Sequence, residues 1–352
     1  VMPKDDLVLR SKPRLIGRIR SLSWRLAKPW LSLRRHWQTL GPTLFCPVYH
    51  IVRENHPEWW GGRYRIKTPS EFERDLDVLL NLAEPVDLHQ LLAWRRGLAK
   101  KPNGWFLSFD DGYRELYDVV APILLRKGVP ATFFLCSSMI DNRAPFFEDV
   151  LGLIAHEVSH CSLTVRHEAE RVLAQHGTNL TLFLQSRIPQ FELLSLVTRI
   201  LKMDIEAWLK RDYPYVTGIQ MESLLSQGFT VGAHSVDHPL FEQLRPAEQQ
   251  RQIHVSVEAI TKRFHLDYRV FAFPYGEFGL TRRFLTGVLE DGIVDLCFGT
   301  RGITIDELEP GLIQRTLCEG HKDTIESHLK NELNLQLRRR CQGRAVVRRN
   351  EP

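Results

Sequence analysis

Two histidines four residues apart, His234 and His238, follow the apolar run FTVGA (229–233), and two carboxylates, Asp110 and Asp111, follow the apolar run WFLSF (105–109). A third polar cluster, Pro274-Tyr275-Gly276, follows VFAF (270–273). Two imidazoles at this spacing can meet on one side of a turn or helix, and one carboxylate from another strand end completes a three-ligand site. Two His and one carboxylate, with positions left open for water, is the donor set of a catalytic zinc or of another divalent metal. The second carboxylate cannot easily share that metal at the same angle, and it is placed to act as a base on water. Singly, each cluster is commonplace. Asp-Asp-Gly and Pro-Tyr-Gly are ordinary turns, and a His-x3-His pair arises readily in a chain with 14 histidines. Their joint placement at strand ends is what points to chemistry.

A rival motif lies at His156-Glu157-Val158-Ser159-His160, a literal zinc-protease helix signature. No third His follows at the metzincin spacing, and Glu168 and Glu170 lie too close for the usual downstream glutamate ligand. These residues are expected to form one face of a helix without metal.

The clusters need strands that end where they begin. TLFCPVYHI (43–51), WFLSF, ATFFLC (131–136), FTVGA, VFAF and short runs near 295–298 and 312–316 read as strands. Helical periodicity covers 68–82, opened by Thr68-Pro69-Ser70-Glu71, then 87–98, 116–127, 246–264 and 281–291. Residues 145–227 have helical periodicity and few strand signals, which predicts a helical insertion. The alternation from 43 to 316 predicts an α/β fold with a parallel barrel-like sheet, whose functional groups sit where strands meet loops.

The chain resembles the polysaccharide deacetylase family, also called the NodB-homology or carbohydrate esterase family 4 group. SFDDG (108–112) is similar to its T-F-D-D-G box, HSVDH (234–238) to its H-[S/T]-x-x-H box and FAFPYG (271–276) to its Pro-aromatic-Gly box. Tyr49-His50 resembles the "YH" opening of the subgroup that makes or modifies exported polysaccharides, and ELYDVVAPILLRKGVPATFFL (115–135) resembles the segment after the first box. The resemblance implies a distorted (β/α)7 barrel over residues 43–320 that hydrolyses an acyl group from a sugar. It casts Asp110 as catalytic base, Asp111, His234 and His238 as ligands of a divalent metal, zinc by expectation, and Tyr275 at the oxyanion, partly through backbone N–H. It further implies substrate-binding positions at His50, Pro274 and Arg315. The third box usually has an Arg where this chain has Ala272, so the usual partner of the base is missing, and Arg315 is the nearest candidate to supply charge there. His321 is the nearest candidate for the general acid. A sugar-binding pseudoenzyme of the same fold is the alternative, but a binding module would not require both the ligands and the base.

Composition fits this reading. Of 352 residues, 43% are hydrophobic and 25% charged, which excludes a disordered chain and a collagen-like repeat. Six cysteines without a Cys-x-x-Cys pair argue against a disulfide framework and fit a reducing compartment. No apolar run reaches the roughly 18 residues of a spanning helix. The start lacks a secretory pattern, so a cytoplasmic location is expected. Residues 1–40 hold ten Lys or Arg against Asp5 and Asp6, on a chain whose formal charge is only +5. Within 13–40 the apolar positions Leu15, Ile19, Leu22, Leu26, Trp30, Leu33, Trp37 and Leu40 draw one stripe down an amphipathic helix, kinked or restarted at Pro29. Arginines alternating with Trp and Leu suit an anionic membrane surface better than a nucleic-acid backbone, so no nucleic acid is expected. The predicted organisation is a basic segment 1–42, a barrel 43–320 and a basic C-terminal helix or tail 321–352. The expected partners are an acylated sugar or lipid-linked glycan and the inner membrane face.

Overall fold

The structure is a computed structural model that describes residues 33–40, 44–319 and 324–351. Strands β1 (Pro47–Tyr49), β2 (Ser108–Phe109), β3 (Thr132–Leu135), β4 (Thr230–Ala233), β5 (Val270–Ala272), β6 (Leu296–Gly299) and β7 (Leu312–Gln314) lie side by side in chain order, all parallel. One residue beyond β7, β8 (Thr316–Leu317) pairs with β1. The chain therefore bonds to β6 before Arg315 and to β1 after it, which brings the sheet round into a near-closed parallel barrel. This is the α/β architecture that the sequence predicts. The expected strands at 43–51 and 105–109 are each split, the first at Cys46, just before Pro47, which has no N–H to donate.

Strand side chains alternate between two cores. Phe133, Val231, Phe271 and Cys297 join the core beneath the helices, whereas Phe106, Phe134, Ala272 and Phe298 form a second cluster. Ring centroids there are 5.2 Å apart for Phe106–Phe298 and 5.1 Å for Phe134–Phe298. A Cβ at position 232 would fall 2.5 Å from Phe134 Cε1, so only glycine fits beside that ring.

Helix ends follow local chemistry. Helix Pro69–Leu82 opens with a complete capping box between Thr68 and Glu71, with proline at its first position. Helix Pro246–Arg263 also starts on proline, and helix Arg282–Glu290 is capped by Thr281. Between β3 and β4 the insertion begins with helix Phe147–His160 and builds its own core from Val150, Ile154, Leu173, Phe183, Leu194 and Val197. Helix Gly218–Ser226, read from sequence as part of the insertion, instead gives Met221 and Leu224 to the main core.

The described parts of both basic ends pack on the barrel. Helix Ile325–Cys341 buries Ile325, Leu329 and Leu333 in the main core. Beyond it Val346–Val347 pairs with Ile305–Asp306, and the buried Arg349 guanidinium binds Asp306 and Glu277. At the other end helix Leu33–Leu40 packs on helices Pro69–Leu82 and Ile325–Cys341, with Leu33 and Trp37 buried. The rest of the stripe, from Leu15 to Trp30, lies outside the described residues. No helix among those described is long and apolar enough to cross a membrane.

Candidate metal centre

Asp111, His234 and His238 meet at one end of the barrel, each buried, with their ligand atoms within 4.8 Å of one another. Asp111 Oδ1 lies 3.3 Å from His238 Nε2 and 3.5 Å from His234 Nε2. His234 Nδ1 donates to the Ala272 carbonyl at 2.8 Å, which fixes the tautomer and leaves Nε2 free as a ligand. The two histidines sit on a turn, not a helix. Ser235 and His238 have φ of +68° and +59°, and Ser235 Oγ accepts from the His238 N–H at 2.9 Å. Asp111 is also left-handed, at φ +72°, which turns its carboxylate away from that of Asp110.

A divalent metal fits this donor set. Asp111 Oδ1, the atom that faces both Nε2 nitrogens, is a buried acceptor without a hydrogen-bond partner, and a buried acceptor left unmade is costly. Burial lowers the His238 imidazole to about 4, so the ring is neutral, as a ligand must be. Burial alone would raise the Asp111 carboxyl, but His238, His50 and His234 hold it below the ordinary range. Together these three residues form a His2Asp metal-binding triad.

Asp110 takes a different partner. Its two oxygens accept from Arg315 Nη1 and Nη2 at 2.6 and 2.7 Å, and Arg315 Nη1 also donates to Ser108 Oγ at 3.1 Å. Burial opposes ionisation of Asp110, yet Arg315 and then His234 hold the carboxyl below its usual value. Asp110 Oδ2 lies 3.8 Å from His234 Nε2, beside the triad. Arg315 occupies the single residue between β7 and β8, so barrel closure itself delivers the guanidinium that position 272 does not supply. It is fully buried and does not line the cavity, so its place is beneath Asp110 and not on substrate. Pro274, also expected to touch substrate, is likewise buried within its turn.

The triad opens into a cavity of about 900 Å3, towards the upper end of the ~300–1,000 Å3 usual for ligand sites. His50, Asp110, Asp111, His234, His238 and Tyr275 all line it. His50 Nδ1 contacts Glu319 Oε1, which also accepts from the His50 backbone N–H at 2.9 Å. Burial would lower the His50 imidazole, but Glu319 and the nearby Asp111 raise it to about 9. Tyr275 stands edge-on to His238 with centroids 4.7 Å apart, and its hydroxyl donates to Glu148. His321 lies outside the described residues.

Glu319, Arg63, Glu148 and Asp149 were not legible as site residues. For Glu319 a signal existed: β8 pairs Leu317 with Val48, and that register extended two residues sets 319 opposite 50. The other three come from a loop and the insertion, where no strand end marks them. His156, half-buried, and His160, exposed, lie near each other on helix Phe147–His160 and take no part in the triad. Among the described residues the one three-residue cluster with metal-ligand geometry is Asp111, His234 and His238.

The family model for polysaccharide deacetylase matches residues 98–290. Among solved structures, the chain is similar to the Streptococcus pyogenes deacetylase PplD in complex with acetate, at 14% identity and a TM-score of 0.52, over 83% of this chain and 98% of that one. It is also similar to IcaB from Ammonifex degensii, at 16% identity and a TM-score of 0.53, over 83% and 97% of the two chains. A polysaccharide deacetylase from Bacillus cereus follows at 13% identity and a TM-score of 0.50, over 82% and 69%. A search of the curated proteins finds no match. The structural likenesses are likenesses of fold.

Proposed function

The chain belongs to the polysaccharide deacetylase family, and on that premise we propose that it hydrolyses the N-acetyl group of an amino sugar in a polysaccharide or lipid-linked glycan. The observation that carries this reading is the ionised Asp110, clamped by Arg315 immediately beside three convergent metal ligands. Asp111, His234 and His238 would hold a divalent cation, zinc on our reading, which would supply Lewis acidity toward a carbonyl oxygen and toward water.

The protein's own groups do the rest. Asp110 accepts a proton from the attacking water through a remaining lone pair of Oδ2, the oxygen 3.8 Å from His234 Nε2, while Arg315 keeps the carboxylate in one orientation. Tyr275 closes the cavity over His238 and offers its backbone N–H side to the developing oxyanion. His50, protonated below about 9 and aligned by Glu319, gives its proton to the leaving amine. That assignment replaces the substrate-binding role expected of His50 and makes His321 unnecessary as the acid.

Two measurements test this. Metal-loaded protein should release acetate from acetamido sugars, free or lipid-linked, and chelator-treated protein should not; no acetate from either substrate, with metal bound, would sink the proposal. Because a raised imidazole donates only while protonated, activity should fall as pH rises through about 9. His50→Gln should remove that alkaline limb and slow turnover on the order of 10²–10⁴-fold, the usual cost of a lost acid or base. An unchanged pH profile in His50→Gln would assign the acid elsewhere.

For the location we propose a peripheral contact of the basic N-terminal segment with the anionic cytoplasmic face of the membrane. Its support is the excess of Lys and Arg in residues 1–40, each worth about 1 kcal/mol near such a surface. Leu33 and Trp37 are buried on the barrel, so the contact would rest on the positions from Leu15 to Trp30. The protein should sediment with anionic liposomes at low salt and be released at high salt. Equal recovery in the supernatant at both would refute the contact.

A further inference from the structure

The helical insertion reaches the metal triad through its first residues, and nothing in the three motif boxes requires this. Phe146, just before helix Phe147–His160, meets the His238 ring edge-on with centroids 4.7 Å apart. Two residues on, Glu148 accepts the Tyr275 hydroxyl through Oε1, while its Oε2 accepts from Arg63 Nη1 at 3.2 Å. Ligand His238 is thus touched by one ring from the end of β5 and by one from the insertion, and the tyrosine ring is tied back to the insertion by Glu148.

The tie has something to hold. Tyr275 sits at φ +56°, a left-handed conformation that is unfavourable for a bulky residue and persists only where its surroundings fix it. On the barrel side the turn is secured by Thr300 Oγ1, which donates to the Tyr275 carbonyl at 3.4 Å. On the far side, among the contacts of the Tyr275 hydroxyl, the anchor is Glu148. Glu148 is itself backed by a rigid assembly. The same Arg63 contacts Asp149, which is fully buried and also accepts from the Tyr113 hydroxyl at 3.0 Å and the Tyr215 hydroxyl at 2.6 Å. The guanidinium of Arg63 lies 4.1 Å over Trp60. Helix and loop are locked where Gly152 passes the Trp59 carbonyl, since a Cβ there would fall 1.9 Å from that oxygen.

We propose that Glu148 is a positioning residue of this active site: through the Tyr275 hydroxyl it fixes the third-box turn against His238, so that the insertion is a working part of the catalytic wall. The proposal rests on the deacetylase reading for its kinetic arm only. With an N-acetylglucosamine oligomer as probe, Glu148→Ala should lower kcat roughly 100-fold, the scale of a small misplacement of reacting groups, and leave KM little changed. Glu148→Gln, which keeps an oxygen for the Tyr275 hydroxyl, should recover most of the rate. Tyr275→Phe cuts the same tie, so adding Glu148→Ala to it should slow the enzyme no further. A second readout needs no turnover. In the cobalt(II)-loaded protein the visible ligand-field bands of the triad should shift in Glu148→Ala and in Tyr275→Phe, at unchanged metal stoichiometry, and match wild type in Glu148→Gln. If wild type leaves the oligomer untouched, the deacetylase reading loses support while the cobalt spectra still decide the positioning role. Identical spectra in wild type and Glu148→Ala, effects of the two substitutions that multiply, or a change confined to KM would each overturn the proposal.

Discussion

Asp110→Asn should keep its metal and lose turnover by about 10²–10⁴-fold, because the substitution preserves side-chain shape and removes the base. Metal content should survive because Asp110 is not one of the three convergent ligands. Asparagine also meets Arg315 badly. It offers one carbonyl oxygen where the guanidinium now finds two carboxylate oxygens, at 2.6 and 2.7 Å, and its amide N–H groups point donors at donors. A lower melting temperature should therefore accompany the lost rate, and the rate must be compared per folded, metal-loaded molecule. Deacylation at the wild-type rate by such protein would move the base to another residue. Loss of metal in the variant would show that Asp110 belongs to the coordination sphere and would undo the division of labour between the paired carboxylates.

Much of this site could be read from the chain because strand ends in a parallel barrel are visible in sequence. Apolar runs of four or five residues stop abruptly at Asp110, His234 and Pro274, and each stop is the rim of one sheet. The capped helices were equally plain, since Thr68 with Glu71 and the prolines at 69 and 246 mark their own starts. What could not be read were contacts made by closure and by insertion. Resemblance alone offers Arg315 as a charge near the base, and its two-pronged hold on Asp110 appears only when β7 and β8 are seen to bridge β6 and β1. Glu148 and Asp149 stand in the first turn of helix Phe147–His160, where acids are common for reasons of the helix alone. The packing of the C-terminal end escapes charge counting for a related reason. Arginines suggest solvent, yet Arg349 is buried because Asp306 and Glu277 wait for it across the small parallel pair of Val346–Val347 with Ile305–Asp306. The same holds for Leu33 and Trp37, where a stripe alone cannot say whether lipid or protein covers it.

Arg315→Met should be the most destabilising single change near the site, and its effect should depend on what stands at position 110. The guanidinium is fully buried, makes two bonds to Asp110 and one to Ser108, and lies 5.2 Å from the Phe134 ring centroid. Methionine is long enough to fill part of that space beside Phe134 and Phe298, so packing is not the main loss. The main loss is a buried carboxylate without its counter-charge, and breaking a buried pair by removing one partner typically costs about 3–5 kcal/mol. The stranded Asp110 would respond by holding its proton to higher pH, because the arginine that now keeps it ionised is gone. Activity near neutral pH should then fall with stability and partly return as pH is raised. Combining Arg315→Met with Asp110→Asn removes both charges, so the double variant should unfold at higher denaturant concentration than Arg315→Met alone, although it remains inactive. Additive losses in the double variant would mean that Arg315 serves the barrel closure by itself, through Ser108 and the Gly299 carbonyl to which its Nε donates at 3.4 Å, and that the orientation of Asp110 is set by the backbone turn around Asp111. A smaller combined loss would locate the coupling in the ion pair, and with it the reason why a barrel with alanine at position 272 can still hold a base in place.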